Sequence, residues 1–336
     1  MKKKIPDISS QIYNDEILSV IEKRYSILGP MWVNQQMEWN NGIYASFKDH
    51  DKFLILIYLV KKTLDFYSRN FIKMPYDEFY SRDTVEIEKF SISEVSQALD
   101  IPKETARRKL LELENEGAIR KNKKGILIDR SKFYYTKPEN SIKRISRFLA
   151  LLSEMSKEEK ILTKKISSGE LENIIKNNFS YIWKLYYELQ IPMLINYKKI
   201  FNDLESFHIF GTCIVNQHLY AKKISSNIVN RDDFIKTIHT SEMQGLNAMS
   251  ISDITGIPRA TVIRKLKNLV NIKRLKIDEK KHYKVTALFS KTLLPLQKKN
   301  FNKLANFSTK IFNIIVLNSK RIDESNDISI NLKKYL

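Results

Sequence analysis

Apolar residues recur at helical spacing over most of the chain. In residues 13–25 they fall at every third or fourth position, which is typical of a helix with one buried face. Residues 169–179 repeat this pattern later in the chain. Residues 47–67 and 204–221 are apolar on most sides, so the pattern predicts two long helices in the interior of the protein.

Two similar stretches of ten residues occur within this helical pattern. The sequence IPKETARRKL occupies residues 101–110, and IPRATVIRKL occupies residues 257–266. Proline suits the first position of a helix, so helices are predicted to begin at Pro102 and Pro258. In the first helix the residues predicted to form the buried face are Ala106, Leu110 and Leu113.

The opposite side of the first predicted helix is polar and mainly basic. Its outward positions are Glu104, Arg107, Arg108 and Leu111, and its flanks carry Lys103, Thr105 and Lys109. An offset of 156 residues places the second helix on the first without a gap, so that Arg108 pairs with Arg264 and Lys109 with Lys265. We interpret this as one structural unit present twice, the alternative being chance similarity between two helical segments.

The repeat predicts the organisation of the whole chain. Each helix is followed by two short strands around a polar turn, at residues 119–128 and 274–286, and then by an amphipathic helix, at residues 142–155 and 301–317. The predicted fold is mainly α with small β wings, in two lobes related by internal duplication. The lobes are expected at residues 11–160 and 167–318, with a mobile charged tail at residues 319–336.

Residues 91–119, SISEVSQALDIPKETARRKLLELENEGAI, resemble the helix-turn-helix of bacterial winged helix-turn-helix transcription regulators, and NKKGILIDRSKF resembles their wing. Residues 246–275 are similar, with Asn271-Ile272-Lys273 in place of Asn115-Glu116-Gly117, so no glycine marks the end of the second recognition helix. The resemblance implies two tandem winged helix-turn-helix lobes that bind double-stranded DNA.

The predicted DNA-binding residues fall into three groups. Base edges are expected to be contacted by Arg107, Arg108 and Arg264. The DNA backbone is expected to be held by Lys103, Thr105, Lys109, Arg259, Thr261 and Lys265, and at the wings by Lys121, Lys123, Lys124, Lys280 and Lys281. Glu104 is expected either to accept a hydrogen bond from cytosine or to pair with Arg108. The alternative is that both helices are solvated faces of winged helices that contact proteins.

Composition supports a polyanionic partner. The net charge is +20, although an AT-rich coding bias would also enrich lysine. The single cysteine, Cys213, suits a reducing compartment, and the basic start of the chain lacks the apolar run of a secretion signal. The longest apolar run, residues 53–60, is too short to cross a bilayer. We therefore expect no membrane association and a cytoplasmic, nucleoid-associated protein.

The sequence offers no candidate for catalysis or for a cofactor. It contains no glycine-rich phosphate loop, HExxH or GxSxG motif. The spacing of His208, Cys213 and His218 turns the three side chains to different faces of a helix, so we expect no metal site. The aromatic residues 178–197 favour a core helix, with an effector pocket or a dimer interface as alternatives.

These observations predict a sequence-specific transcription regulator of a bacterial type, and not an enzyme. One chain would act as a pseudo-dimer or form a homodimer, with RNA polymerase as a further candidate partner. The alternatives are a plasmid-type replication initiator and a non-specific architectural or assembly protein.

Overall fold

The structure is a computed structural model that describes residues 11–122, 125–132, 137–224, 231–240 and 244–332. Within these ranges only the backbone is described for residues 122, 224, 240, 288–291 and 317–332.

The first half of the chain contains seven α-helices and three strands among its described residues. They are α1 (Asn14–Lys23), α2 (Tyr25–Phe47), α3 (His50–Arg69), α4 (Tyr76–Phe79), β1 (Thr84–Ile87), α5 (Ile92–Leu99), α6 (Lys103–Asn115), β2 (Ile119–Asn122), β3 (Gly125–Asp129) and α7 (Glu139–Glu158). A short 3-10 helix, Arg130–Lys132, follows β3.

The second half repeats this order over its described residues, except that no strand corresponds to β1. Its elements are α8 (Ser168–Asn177), α9 (Phe179–Phe201), α10 (Leu204–Ile224), α11 (Arg231–Thr240), α12 (Ala248–Thr255), α13 (Arg259–Asn271), β4 (Leu275–Ile277), β5 (Tyr283–Val285) and α14 (Ala287–Leu332). The lengths also agree: α1 and α8 have 10 residues, α2 and α9 have 23, α5 and α12 have 8, and α6 and α13 have 13.

Several predicted helix boundaries differ from the structure. The long helix expected at residues 47–67 begins at His50, because Lys48 is left-handed and the Asp49 carboxylate caps the next helix by accepting from the backbone N–H of Asp51 at 2.8 Å. The backbone of α14 continues to Leu332, through most of the segment predicted as a mobile tail. No glycine or proline follows Pro295 in this stretch to end the helix. Residues 333–336 lie outside the described residues.

The strands form two small antiparallel sheets. In the first sheet β3 lies between β1 and β2, with Thr84 opposite Asp129 and Ile119 opposite Ile128. The sequence did not predict β1, a strand of four residues in the polar segment between α4 and α5. The second sheet pairs β4 with β5, and an isolated bridge joins Leu246 to Tyr283 where the first sheet has its third strand.

In the core, helices of the first half pack against helices of the second half. Helix α3 packs on α9, and α10 packs on α2; likewise α1 packs on α14, and α8 packs on α7. The first aromatic residue of α2, Tyr25, contacts Phe301 of α14 with ring centroids 5.7 Å apart, and the corresponding residue of α9, Phe179, contacts Phe79 of α4 at 5.2 Å. The described residues therefore share one continuous hydrophobic core.

Candidate nucleic-acid interface

The turn between α5 and α6 is held by side-chain hydrogen bonds. The Ser91 hydroxyl accepts from the backbone N–H of Glu94 at 3.1 Å and so caps α5. At the other end of α5, Asp100 is left-handed, with φ of 51°. The Ser96 hydroxyl then donates to the carbonyl of Ile101 at 2.7 Å and so fixes the turn into α6.

The turn between α12 and α13 has the same construction. The Asn247 side chain accepts from the backbone N–H of Ser250 at 2.9 Å, and Gly256 takes the left-handed position with φ of 68°. The Ser252 hydroxyl donates to the carbonyl of Ile257 at 2.7 Å, at the position that corresponds to Ser96. The two motifs therefore share a hydrogen-bonded turn as well as a sequence pattern.

Both recognition helices, α6 and α13, begin one residue later than the sequence predicted. Pro102 and Pro258 are the capping residues, with extended ψ values of 137° and 134°, and the first helical residues are Lys103 and Arg259. The predicted buried stripe of α6 is confirmed, and α13 buries the corresponding residues. The buried positions are Ala106, Leu110 and Leu113 in α6 and Val262, Leu266 and Leu269 in α13.

The helices end in the same motif despite their different sequences. In α6 the N–H of Ala118 donates to the carbonyl of Leu113 at 2.9 Å, across the left-handed Gly117. In α13 the N–H of Arg274 donates to the carbonyl of Leu269 at 2.9 Å, across the left-handed Lys273. The missing glycine therefore does not change the end of the second recognition helix, but it places a lysine in a conformation that L-residues disfavour.

The outer face of α6 presents two exposed arginines. The side chains of Arg107 and Arg108 are 63% and 67% exposed. Glu104 pairs with Arg107, whose Nε lies 3.0 Å from Oε2, and not with Arg108 as one of our sequence expectations had it. Arg108 Nε lies 3.8 Å from Oε1 of Glu112. Because exposed pairs of this kind are weak, about 0–1 kcal/mol, both guanidinium groups remain available to a DNA base edge.

Two lysines predicted to hold the DNA backbone are instead used to hold the recognition helices. The Lys109 side chain is 14% exposed, and its ammonium group lies 2.5 Å from Oδ2 of Asp49, the cap of α3. The Lys265 side chain is 12% exposed and pairs with Asp203, the residue directly before α10. We therefore remove Lys109 and Lys265 from the predicted DNA-contacting set.

The tie between α6 and α3 extends into a small network. Lys109 also donates to Oε2 of Glu112 at 3.1 Å, and Lys52 of α3 lies 3.3 Å from the same carboxylate oxygen. Lys52 further pairs with Glu116 at 2.5 Å. Burial lowers the pKa of Lys109, but its hydrogen bonds to Asp49 and Glu112 outweigh this and raise the pKa above its ordinary value. Glu112 and Glu116, near the C-terminal end of α6, are thus paired with Lys109 of α6 and Lys52 of α3.

The outer face of α13 is less charged than that of α6. Arg259 and Arg264 are exposed, whereas Ile263 stands where α6 has Arg107. A cleft of about 760 Å³ lies between α13 and the second wing. Its cationic lining residues among those described are Arg259, Lys267, Lys280 and Lys281. The sequence analysis did not include Lys267 among the predicted DNA-binding residues. Lys267 lies one turn after Arg264 in α13 and corresponds to the outward-facing Leu111 of α6.

Thr105 and Thr261 lie half-buried on the flanks of their recognition helices.

The wings contribute further cations. Lys121 in β2 is exposed, with its ammonium group 3.0 Å from Oε2 of Glu114. The predicted contacts Lys123 and Lys124 lie outside the described residues. In the second wing Lys280 and Lys281 are exposed in the turn between β4 and β5, which is closed by a bond from the N–H of Lys281 to the carbonyl of Asp278 at 2.9 Å.

Residues 86–132 match the DeoR-like helix-turn-helix domain family. The matched segment runs from the end of β1 through α5, α6 and the first wing, so this region is a helix-turn-helix domain of the kind found in DNA-binding transcription regulators. No curated protein and no solved structure matches the chain. Among the described residues no helix combines the length and apolarity needed to cross a membrane.

Proposed function

We propose that the protein is a sequence-specific regulator of transcription that reads double-stranded DNA with both recognition helices. Arg107 and Arg108 in α6, and Arg264 in α13, would donate to guanine in the major groove. Lys103 and Thr105, Arg259 and Thr261, and the wing lysines would contact phosphates.

The observation that carries this proposal is the contrast between the two sides of each recognition helix. The buried stripe and a lysine on one flank fasten the helix to the scaffold, at Lys109 in α6 and at Lys265 in α13. The outer face keeps its guanidinium groups exposed, with weak partners or with none among the described residues. A fixed helix with exposed arginines is suited to insertion into a groove.

We further propose that the two halves arose by duplication and act as a pseudo-dimer. The same order of elements, the same left-handed positions and the same lysine–aspartate tie support a common origin. Each half also packs its first two helices against the other half, as the subunits of an intertwined dimer would. The halves have diverged at Arg107 and Ile263, so the expected target is an imperfect palindrome or a direct repeat.

The test is a binding measurement that compares one duplex with many others at several salt concentrations. A regulator of this kind should prefer some duplexes by at least a thousandfold at physiological salt, and its affinity should fall steeply as salt rises. Equal affinity for all duplexes would indicate an architectural protein. Absence of binding would leave the winged helices as protein-contacting surfaces.

A further inference from the structure

A cavity of about 330 Å³ lies between the first wing and the helical core, where α9 of the second half packs against the first half. Its walls come from α2, α3, α7, α9 and the first sheet. Aromatic side chains dominate the walls: Trp39, Phe53, Trp183, Tyr186 and Tyr187. A cavity of this size and character is in the range of small-molecule binding sites.

The charged residues of the wall are mainly cationic. Among the described residues they are Arg130, Lys137 and Arg144, opposed by one carboxylate, Glu38. Glu38 is already engaged: it accepts from the Asn34 side chain at 2.8 Å and lies 3.9 Å from Nε of Arg144. The cavity therefore combines an apolar, aromatic body with an excess of positive charge, which favours an anion with an apolar part.

Arg130 is the most deeply buried of these cations, with 7% of its surface exposed. Its Nη2 donates to the carbonyl of Phe79 at 2.9 Å and to that of Arg82, and its guanidinium carbon lies 4.3 Å from the centre of the Tyr80 ring. Its Nε and Nη1 are buried and have no hydrogen-bond partner of good geometry among the described residues, although the guanidinium also interacts with the Tyr80 hydroxyl. A buried guanidinium whose hydrogen bonds are only partly satisfied is costly, and a bound anion nearby would offset that cost.

The second half has a larger side chain at one of the corresponding positions. The offset of 154 residues that relates Asp49 to Asp203 also relates two cavity residues, Ile43 and Phe53, to Tyr197 and Phe207. The rings of Tyr197 and Phe207 stack with their centroids 4.2 Å apart.

We propose that this cavity binds a small carboxylate with an aromatic body. The carboxylate pairs with the cationic part of the wall formed by Arg130, Lys137 and Arg144, because a planar guanidinium matches a planar carboxylate. The aromatic body lies among the indole and phenol rings of α2 and α9, which provide edge-to-face and stacked contacts.

A ligand in this cavity would touch the helix-turn-helix domain directly. Val85 of β1 and Ile128 of β3 line the cavity together with Arg130, and all three belong to the sheet that forms the first wing or to the residue after it. Occupancy would therefore be coupled to the position of the wing. An effect on DNA affinity rests on the proposed function, whereas binding of the ligand does not.

The experiment titrates the full chain with 3-phenylpropionate and follows tryptophan fluorescence, because two of the three tryptophans line the cavity. Gly42→Leu is the blocking variant. Gly42 lines the cavity within α2, and a Cβ added there meets nothing within 4 Å, so the larger side chain enters the empty space without backbone strain. Gly169→Leu is the matched control, since Gly169 is an exposed residue of α8 outside the cavity and its added Cβ also meets nothing within 4 Å.

We expect saturable binding to the wild-type protein and to Gly169→Leu, and at least tenfold weaker binding to Gly42→Leu with no loss of thermal stability. The neutral analogue 3-phenylpropionamide should bind at least tenfold more weakly than the acid. The proposal is overturned if millimolar 3-phenylpropionate leaves the fluorescence unchanged, if Gly42→Leu binds like the wild type, or if acid and amide bind equally. None of these outcomes depends on DNA, so they are independent of the proposed function.

Discussion

The ammonium group of Lys109 lies 2.5 Å from the Asp49 carboxylate, so the recognition helix α6 is fastened to the N-terminus of the long helix α3. The second half repeats this relationship between Lys265 of α13 and Asp203 before α10. In each half the aspartate also caps its long helix: Asp49 accepts from the N–H of Asp51 at 2.8 Å, and Asp203 accepts from the N–H of Ser206 at 2.7 Å. One carboxylate thus sets the start of the scaffold helix and the position of the recognition helix.

This relationship predicts that Lys109→Met will lower stability and not merely weaken DNA binding. Removing one partner of a largely buried pair should lower the free energy of unfolding by roughly 1–3 kcal/mol. Lys103→Met, at an exposed position of the same helix, should change it by less than about 0.5 kcal/mol. Urea unfolding monitored by circular dichroism measures both values.

In DNA binding, the larger effect should come from Lys103→Met and not from Lys109→Met. Lys103→Met should reduce the slope of log affinity against log salt by about one, because one phosphate contact is lost. Lys109→Met should leave the slope unchanged. If Lys109→Met reduced the slope and left stability intact, Lys109 would be a DNA contact after all.

Arg264 and Lys267 are expected to contribute differently to DNA recognition. Arg264→Ala should relax discrimination at one base pair by roughly 1–3 kcal/mol, because a bidentate contact to guanine is lost. Lys267→Ala should weaken binding to all duplexes by a similar factor, since a phosphate contact carries no sequence information. Competition between a preferred duplex and single-base variants of it distinguishes these effects. Uniform weakening by Arg264→Ala would remove it from the base-reading set.

The left-handed residues at the ends of the recognition helices give a matched pair of stability variants. Lys273→Gly should raise the free energy of unfolding by about 0.5–1 kcal/mol, because glycine adopts φ of 57° without the steric cost that lysine bears. Gly117→Ala should lower it by about 1 kcal/mol for the same reason. A stabilising Gly117→Ala, measured by denaturant unfolding, would show that the proposed helix end is wrong.

The recognition helices were predictable because their pattern is local and occurs twice. The spacing of Ala106, Leu110 and Leu113 defines the buried stripe, and the same spacing in the second copy supports it. Lys109 could not be placed in this way, since it lies on the flank of the helix, and only its tertiary neighbour Asp49 decides whether that flank faces solvent.

Features that depend on distant partners were missed for the same reason. Strand β1 has four residues and is defined by its pairing with β3, not by a pattern of its own. The packing of helices of one half against helices of the other depends on contacts such as that between Tyr25 and Phe301. These two residues are separated by most of the chain. The sequence did not predict helix α2, because Gly29-Pro30 and Gly42 are residues that usually interrupt helices. In this protein all three lie within the helix.

Acid should destabilise the protein through a buried histidine of α10. Burial lowers the pKa of His218 from 6.5 to about 4. As pH falls through 6.5 the unfolded chain takes up the proton first, so this contribution to stability is complete above that pH and is lost progressively down to about 4. The total loss from this one group should be roughly 3–4 kcal/mol, at about 1.4 kcal/mol for each pH unit between the two pKa values.

The variant His218→Gln tests this assignment. Its free energy of unfolding, measured by urea titration at several pH values, should fall less steeply between pH 6.5 and 4 than that of the wild type. Burial also lowers the pKa of His208, so part of the slope should persist in the variant. Equal slopes for the two proteins would show that His218 does not contribute to the acid sensitivity.

The central claim is that one chain reads DNA with two recognition helices. The most direct measurement is selection of bound duplexes from a random pool by the wild type, by Arg108→Ala and by Arg264→Ala. We predict an enriched site with two unequal half-sites about one helical turn apart, and relaxation of a different half-site in each variant. Selection of no common sequence, or of the same sequence with the same stringency by all three proteins, would contradict the account.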